Sequence, residues 1–355
     1  MNTFGKKLTL TSFGESHGVA IGGVIDGLPA GLKIDTDFIQ SELNKRRPGQ
    51  SSFTTARDEA DKIEIFSGVF DGMSTGAPIG FAIFNNNQKS NGYENLREIF
   101  RPGHADFTYF KKYGIRDHRG GGRASARETA VRVAGGAFAQ LLLNEFKIEV
   151  LSGVLGIGKA ISNKIDFDFA QNSQIYALGN EEAMKEAVNK ARSEHDSVGA
   201  VVLSVARGVP AGLGEPLYDR LDSALAAALM GINGVKAVEI GAGVNVSSML
   251  GSANNDEMDE LGFLSNNAGG ILGGISSGAE IVLKSHFKPT PSIFKEQKTL
   301  NLAGEAVDFE LRGRHDPCIG IRGSVVATSM IRLVLADMLL LNASTKLENL
   351  KKIYG

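Results

Sequence analysis

The chain repeats itself once, and that repeat limits the folds open to it. DSVGAVVLSVARGVPAGL at 196–213 follows ESHGVAIGGVIDGLPAGL at 15–32, with a charged residue first, then Ser, Gly and a shared PAGL. GILGGISSGAEIVL at 270–283 parallels GVFDGMSTGAPIGF at 68–81, and FKP at 287–289 stands beside FRP at 100–102. A helical run ending LLLN at 339–342 matches one ending LLLN at 141–144. Four stations in one order point to a duplication within a single unit. The expected organisation is one domain over 1–355, with halves of about 8–144 and 195–342 and an insertion over about 145–194.

Both halves alternate strand-like runs (Gly18 to Val24, Val201 to Val205, Glu280 to Leu283) with helical patterns. Helices are predicted at Asp37 to Asn44, Ser125 to Asn144, Glu181 to Arg192, Leu217 to Leu229 and Val325 to Leu341. Many strand connections are too short for a crossover of a dozen or more residues, so antiparallel pairing with helices on one face is expected, an α+β fold. Two residues break the repeat. His17 stands where the second copy has Val198, and Asp337 where the first helix has Ala139, so each is a polar group its own repeat marks as unnecessary for folding.

The formal charge of −2 conceals a basic focus. Between Arg97 and Arg132 lie seven Arg and two Lys against Glu98, Asp106, Asp117 and Glu128, which suits an anionic partner. Glycine is the other anomaly, 44 of 355 residues, clustered between apolar runs as tight turns and close backbone approaches. No stretch approaches the roughly 18 apolar residues of a membrane span, and the first ten residues lack a signal-peptide core. One cysteine, Cys318, forms no internal disulfide. A cytoplasmic protein without membrane partners is expected.

GESHG (14–18) sets Ser16 and His17 at a glycine-flanked turn, where a histidine can hold or supply a proton near neutral pH; a solvated turn histidine fits the same motif. RPGHAD (101–106) puts His104 beside Arg101 and Asp106, and a bound phosphate there would favour the cationic ring; a structural turn with a salt bridge is the plainer reading. GIRDHRGGGRASARETA (114–130) is the densest feature. Gly120 to Gly122 expose backbone amides before a helix expected near Ser125, so an anion would meet amides, a helix N-terminus and Arg119, Arg123 and Arg127. An arginine–glycine nucleic-acid patch is the rival, but the aromatic spacing for stacking bases is sparse, so no nucleic-acid partner is expected. NKRRPGQ (44–50) ends a helix at Arg46 and Arg47, where cations also complement the helix dipole. KPTPS (288–292) and GRHDPCIGIRG (313–323) read as rigid ligand-contacting loops carrying Lys288, Ser292, Arg314, His315, Asp316 and Arg322, though surface turns have the same composition. His118, His195, His286 and His315 give no metal spacing, and no metal site is expected. GVLGIGKA (153–160) misses the phosphate-loop pattern at Ala160 and is taken as strand and turn.

Together these motifs, with GVPAGLGEP and SNNAGGILGGISSG, resemble the chorismate synthase family, in family order from about residue 5 to 341. The resemblance implies helices sandwiched between antiparallel β-sheets, a homotetramer, and one reduced FMN per subunit. The activity implied is loss of phosphate from 5-enolpyruvylshikimate 3-phosphate to give chorismate without net oxidation. A flavin reductase or other oxidoreductase on the same site is the alternative. Matched position by position, FMN contacts are implied for Arg123, Ala124, Ser125, Asn233, Gly234, Gly273, Lys288, Pro289, Thr290, Pro291, Ser292 and Arg314. Arg46 matches a position associated with the nicotinamide cofactor NADPH and the anionic substrate, and Arg47, Arg101 and Arg127 are grouped with it. NADPH would act through an external reductase. His17, His104 and Asp337 match proton-handling positions, supported by Ser16 and Ser125. Two departures stand out: Ala124 replaces a common serine, and His118 replaces a common aromatic residue.

Overall fold

The two halves of the sequence form two five-stranded antiparallel sheets with the same strand logic. The structure is a computed structural model that describes residues 1–54, 60–85, 96–310 and 315–355. The first half runs β1 (Thr3–Phe4), β2 (Thr9–Gly14), β3 (Ala20–Asp26), α1 (Thr36–Arg46), β4 (Ile63–Ile65), the hairpin β5 (Val69–Phe70) and β6 (Met73–Ser74), β7 (Ile79–Phe84), α2 (Asp106–Tyr113) and α3 (Thr129–Asn144). The second begins with β8 (Glu149–Ile157), β9 (Ala160–Ile161), α4 (Phe167–Asn172), α5 (Glu181–Ser193), β10 (Ala200–Arg207), α6 (Leu221–Met230), β11 (Val235–Ile240) and α7 (Gly251–Asn254). It continues through the hairpins β12 (Met258–Asp259) to β13 (Gly262–Phe263) and β14 (Ile271–Leu272) to β15 (Ile275–Ser276), then β16 (Ile281–Phe287). The hairpin β17 (Gln297–Leu300) and β18 (Ala306–Phe309), α8 (Gly320–Asn342) and α9 (Leu347–Tyr354) complete it.

Strand order is β1-β2-β3-β7-β4 in one sheet and β9-β8-β10-β16-β11 in the other. The repeated PAGL and Ser have a shared task. Ser74 Oγ accepts from Leu32 N (2.9 Å) and donates to Pro29 O (2.6 Å); Ser276 Oγ accepts from Leu213 N (2.9 Å) and donates to Pro210 O (2.6 Å). Each hydroxyl therefore ties a hairpin to the chain leaving the central strand. The segment expected as an insertion contributes more than a decoration, because β8 pairs with β10 at the place where β2 pairs with β3.

Between the sheets lie helices. α3 packs on the first sheet and α8 on the second, and the two helices pack on each other. Phe81 of β7 meets Phe138 of α3 at 5.7 Å between ring centroids. Because α8 has neighbours on all sides, it is apolar all round, as an interior helix must be. By length and composition it could cross a membrane, yet 83% of its apolar window is buried inside the protein.

Three helix starts differ from expectation. α8 begins at Gly320, five residues early, because its glycines mark close packing: a Cβ on Gly320 would lie 2.4 Å from Ala200 Cβ, and one on Gly323 would lie 2.5 Å from the Phe287 ring. α6 begins at Leu221, after Asp219 takes a left-handed φ of 61°. Two 3-10 turns, Gly122–Ala124 and Ala126–Glu128, precede α3, with Ser125 Oγ accepting from Arg127 N between them (3.3 Å).

The α3–α8 crossing leaves no room for a methyl group, since a Cβ on Gly136 would stand 2.5 Å from Ser329 Cα. Gly136→Ala should destabilise the fold by about 1–3 kcal/mol through overpacking, read as a lower urea midpoint. An unchanged midpoint would show that the helices are not in such close contact.

Candidate active site

A cavity of about 620 Å³ opens where the two halves meet, within the range of about 300–1,000 Å³ usual for ligand sites. Among the described residues its wall carries eight Arg or Lys side chains and one carboxylate, Asp316, so its field selects anions. The glycine run sets its geometry. Gly120, Gly121 and Gly122 all have positive φ (61°, 88° and 52°), a conformation that glycine alone adopts without strain. A Cβ on Gly120 would lie 2.1 Å from His17 Cε1, and one on Gly121 would lie 2.8 Å from His104 Cε1. The bare backbone thus lets both histidines close on it from different sides. His17 is buried, with Ser16 Oγ 3.1 Å from its Nδ1.

His104 is oriented by its own motif. Arg101 forms a two-pronged pair with Asp106 (Nε–Oδ2 2.7 Å, Nη2–Oδ1 2.8 Å), and His104 Nδ1 lies 3.0 Å from Asp106 Oδ1. Burial alone would raise the Asp106 carboxyl, but hydrogen bonds from Arg101 and His104 hold it far below the usual carboxylate range. Nδ1 also lies 3.0 Å from Arg101 Nη2, so Asp106 favours a proton on Nδ1 while Arg101, which only donates, favours a lone pair there; Nε2 faces Gly121. Burial lowers the His104 pKa, Asp106 opposes this, and Arg101 and Lys288 lower it further. Lys288 Nζ donates to Gly103 O (2.7 Å), joining the two loops that flank the ring.

Behind the wall is a buried charge cluster that the sequence did not announce. Asp61, with its side chain wholly buried, accepts from Arg46 Nη2 (2.5 Å) and from Arg127 Nη1. Burial pulls the Arg46 guanidinium down to about 10 against the pull of Asp61. Arg127 Nε donates to Asn85 Oδ1 (2.9 Å), and Arg322 Nε donates to Arg46 O (3.0 Å). Removing one member of such a pair typically costs about 3–5 kcal/mol, so the cluster is a structural strut beneath the site.

A family model described as chorismate synthase matches residues 8–340. The chain belongs to the chorismate synthase family. It is therefore a lyase. Chorismate synthases of Campylobacter concisus (strain 13826) and Campylobacter curvus (strain 525.92) are 98% and 74% identical to it, each over 100% of both chains. A crystal structure of chorismate synthase matches with a TM-score of 0.78 at 29% identity, covering 99% of this chain and 97% of that one. The α+β class and the helices between antiparallel sheets are those of a chorismate synthase fold.

Within that fold, one cavity gathers Arg101, His104, Arg123, Ala124, Ser125, Arg127, Asn233, Gly234, Lys288, Thr290, Pro291 and Ser292 from four separate segments. Arg46 also lines the cavity, deep in its wall at 0% exposure, with its guanidinium paired to Asp61. Arg47 caps α1 through its backbone and stays outside the wall, as does Pro289, which lies near Gly199. Gly273 sits in the β14–β15 turn away from the cavity of this chain. Arg119 pairs with Asp117 (Nε–Oδ1 2.9 Å) instead of facing an anion. Arg314 lies outside the described residues.

Asp337 needs correction. It is fifteen residues beyond the cavity-lining Arg322, about 22 Å along α8 at the rise of an ideal helix. Its carboxylate accepts the amides of Lys6 (2.9 Å), Lys7 (2.7 Å) and Leu8 (2.8 Å), so it fastens the N-terminal strand and does serve folding. Asp316, on the GRHDPCIGIRG loop, is the cavity's carboxylate, with Arg322 Nη1 2.7 Å from its Oδ2. Asp61 and Asn85 were missed because only folding brings them to the arginines. No signal in their local sequence marks them.

The lowered pKa leaves His104 mostly neutral near pH 7 in the free protein, while a bound phosphate would favour its cation. Binding a phosphate-bearing ligand at pH 7 should take up a proton and weaken as pH rises. Calorimetry in buffers of different ionisation enthalpy should show uptake that His104→Ala abolishes. Equal uptake in both proteins would contradict the assignment.

Proposed function

We propose that the chain converts 5-enolpyruvylshikimate 3-phosphate to chorismate by anti 1,4-elimination of phosphate, in aromatic amino-acid biosynthesis, with reduced FMN required and no net redox change. The observation that carries this reading is the convergence of His104, Arg101, Arg123, Arg127, Asn233 and Lys288 on one basic cavity. The substrate bears a phosphate and two carboxylates, and fixed cations in a partly desolvated cleft are what such a ligand needs.

The residues present fit a flavin mononucleotide. Two segments matched to it, Arg123 to Ser125 and Asn233–Gly234, are tied by Asn233 Nδ2 donating to Ala124 O (3.0 Å), and Lys288 with Thr290 to Ser292 lines the same cavity. Bound there, reduced FMN would supply the electron density that assists phosphate loss, with no net change in its own oxidation state. His104 carries a proton at Nε2 toward the departing phosphate, with Asp106 fixing the ring and Arg101 and Lys288 balancing negative charge. His17, pressed against Gly120 with Ser16 beside it, is not among the lining residues and stabilises the charge of the reduced flavin ring from behind Gly120, while Ser125 lies in the wall. Asp316 takes the carboxylate role first expected of Asp337.

NADPH serves through an external reductase. The enzyme works in the cytoplasm as a homotetramer, a reading supported by exposed apolar residues at Val244, Leu250, Leu261 and Leu264 on one surface stretch. The chain is one domain of duplicated halves, and the place of β8 supports starting the second copy near residue 148.

An anaerobic mixture of protein, reduced FMN and substrate should yield chorismate and free phosphate in equal amounts, with the flavin still reduced at the end. Flavin oxidised in step with product would overturn the reading. His104→Ala should lower turnover by about 10²-fold or more, as loss of a general acid does. Turnover near wild type would remove His104 from the mechanism.

A further inference from the structure

His17 has a second residue keyed to it. Asn85 follows β7 and is buried, and its side-chain amide spans the Glu15–Gly18 turn that carries Ser16 and His17. Nδ2 donates to Glu15 O (3.0 Å) and to Gly18 O (2.9 Å), the two ends of the turn, which Gly18 N closes onto Glu15 O (3.1 Å). On its other side Oδ1 accepts from Arg127 Nε (2.9 Å), a cavity residue anchored on Asp61. Only a carboxamide offers two donors and an acceptor on so short a planar group.

The internal repeat isolates this residue. The sheet pairing carries the register of GVFDGMSTGAPIGF on GILGGISSGAEIVL to the end of β7, so Asn85 falls opposite Phe287, which the FRP and FKP match alone would set beside Phe100, and His17 falls opposite Val198. Phe287 is a buried core residue of β16. The second copy therefore fills both places with apolar side chains, and the first copy alone keeps a histidine on the turn and an amide beneath it.

We infer that Asn85 is a positioning residue: it holds the Glu15–Gly18 turn so that His17 meets Gly120, and it keys that turn to Arg127. The inference rests on the reading of His17 as the charge-stabilising residue. A shift of about 1 Å at a reacting group can cost 10²-fold in rate, so a displaced turn has a measurable consequence.

Asn85→Asp separates the contacts, because it keeps an acceptor for Arg127 and removes both donors to the turn. It should melt cooperatively, lower kcat about 10-fold or more, leave the substrate KM within about threefold, and move the His17 Cε1–H resonance in flavin-free protein. Asn85→Ala, which also frees Arg127, should raise KM as well. Added to His17→Ala, Asn85→Asp should cost little further. If Asn85→Asp does not fold, Asn85→Ser is read by the same resonance and kcat. Wild-type kcat and an unmoved resonance, in an enzyme that His17→Ala impairs, would overturn the role of Asn85 and leave that of His17 standing. Wild-type turnover in His17→Ala would instead sink the His17 reading, and the resonance alone would then decide whether Asn85 sets the ring.

Discussion

Everything at the cavity depends on three adjacent residues having no side chains. Gly120, Gly121 and Gly122 turn the backbone through left-handed conformations while His17, His104 and Glu15 close on them. A side chain at Gly120 or Gly121 would meet strain and collision together. The run therefore decides where the two histidines stand, and the histidines decide where a proton can be delivered. The exposed amides that glycine runs offer to anions are the more familiar use of such a motif. Here close approach by side chains is an equal part of its purpose.

Two buried aspartates divide the electrostatic work. Asp106 lies in the wall, takes the fork of Arg101 and fixes which nitrogen of His104 faces the glycines. Asp61 lies behind it and holds Arg46 and Arg127, with Arg322 reaching the backbone of Arg46. Both carboxylates stay ionised because guanidinium groups outweigh the cost of burial. The cations are thus set in place before a ligand arrives, which is how a charged cleft stabilises developing negative charge without reorganising.

What could be read in the chain followed from adjacency and repetition. Arg101, His104 and Asp106 share one turn, so their mutual contacts were visible in RPGHAD. Short strand connections gave the antiparallel class and the family resemblance the paired sheets, though neither gave the place of β8, whose sequence carries no match to β2. Gly320 and Gly323 looked like loop residues because glycine marks close helix packing and turns alike. Arg46 reads as a ligand residue by its matched position, while its place deep in the wall depends on Asp61, fifteen residues away. Asp337 looked functional because the repeat shows where a polar group is unusual but not whether it faces a cavity or the amides of Lys6 to Leu8. The same comparison succeeds for His17 and Asn85, where the contacts lead toward Gly120 and Arg127.

The most direct measurement is chorismate formation by Gly120→Ala, set beside its thermal unfolding. The added methyl group falls on the end of the His17 ring and not on the core, so unfolding should stay cooperative, with stability lowered by about 1–3 kcal/mol through the left-handed backbone and the contact, while turnover collapses. A Gly120→Ala enzyme that folds normally and turns over at the wild-type rate would contradict the claim that the bare backbone sets the catalytic geometry.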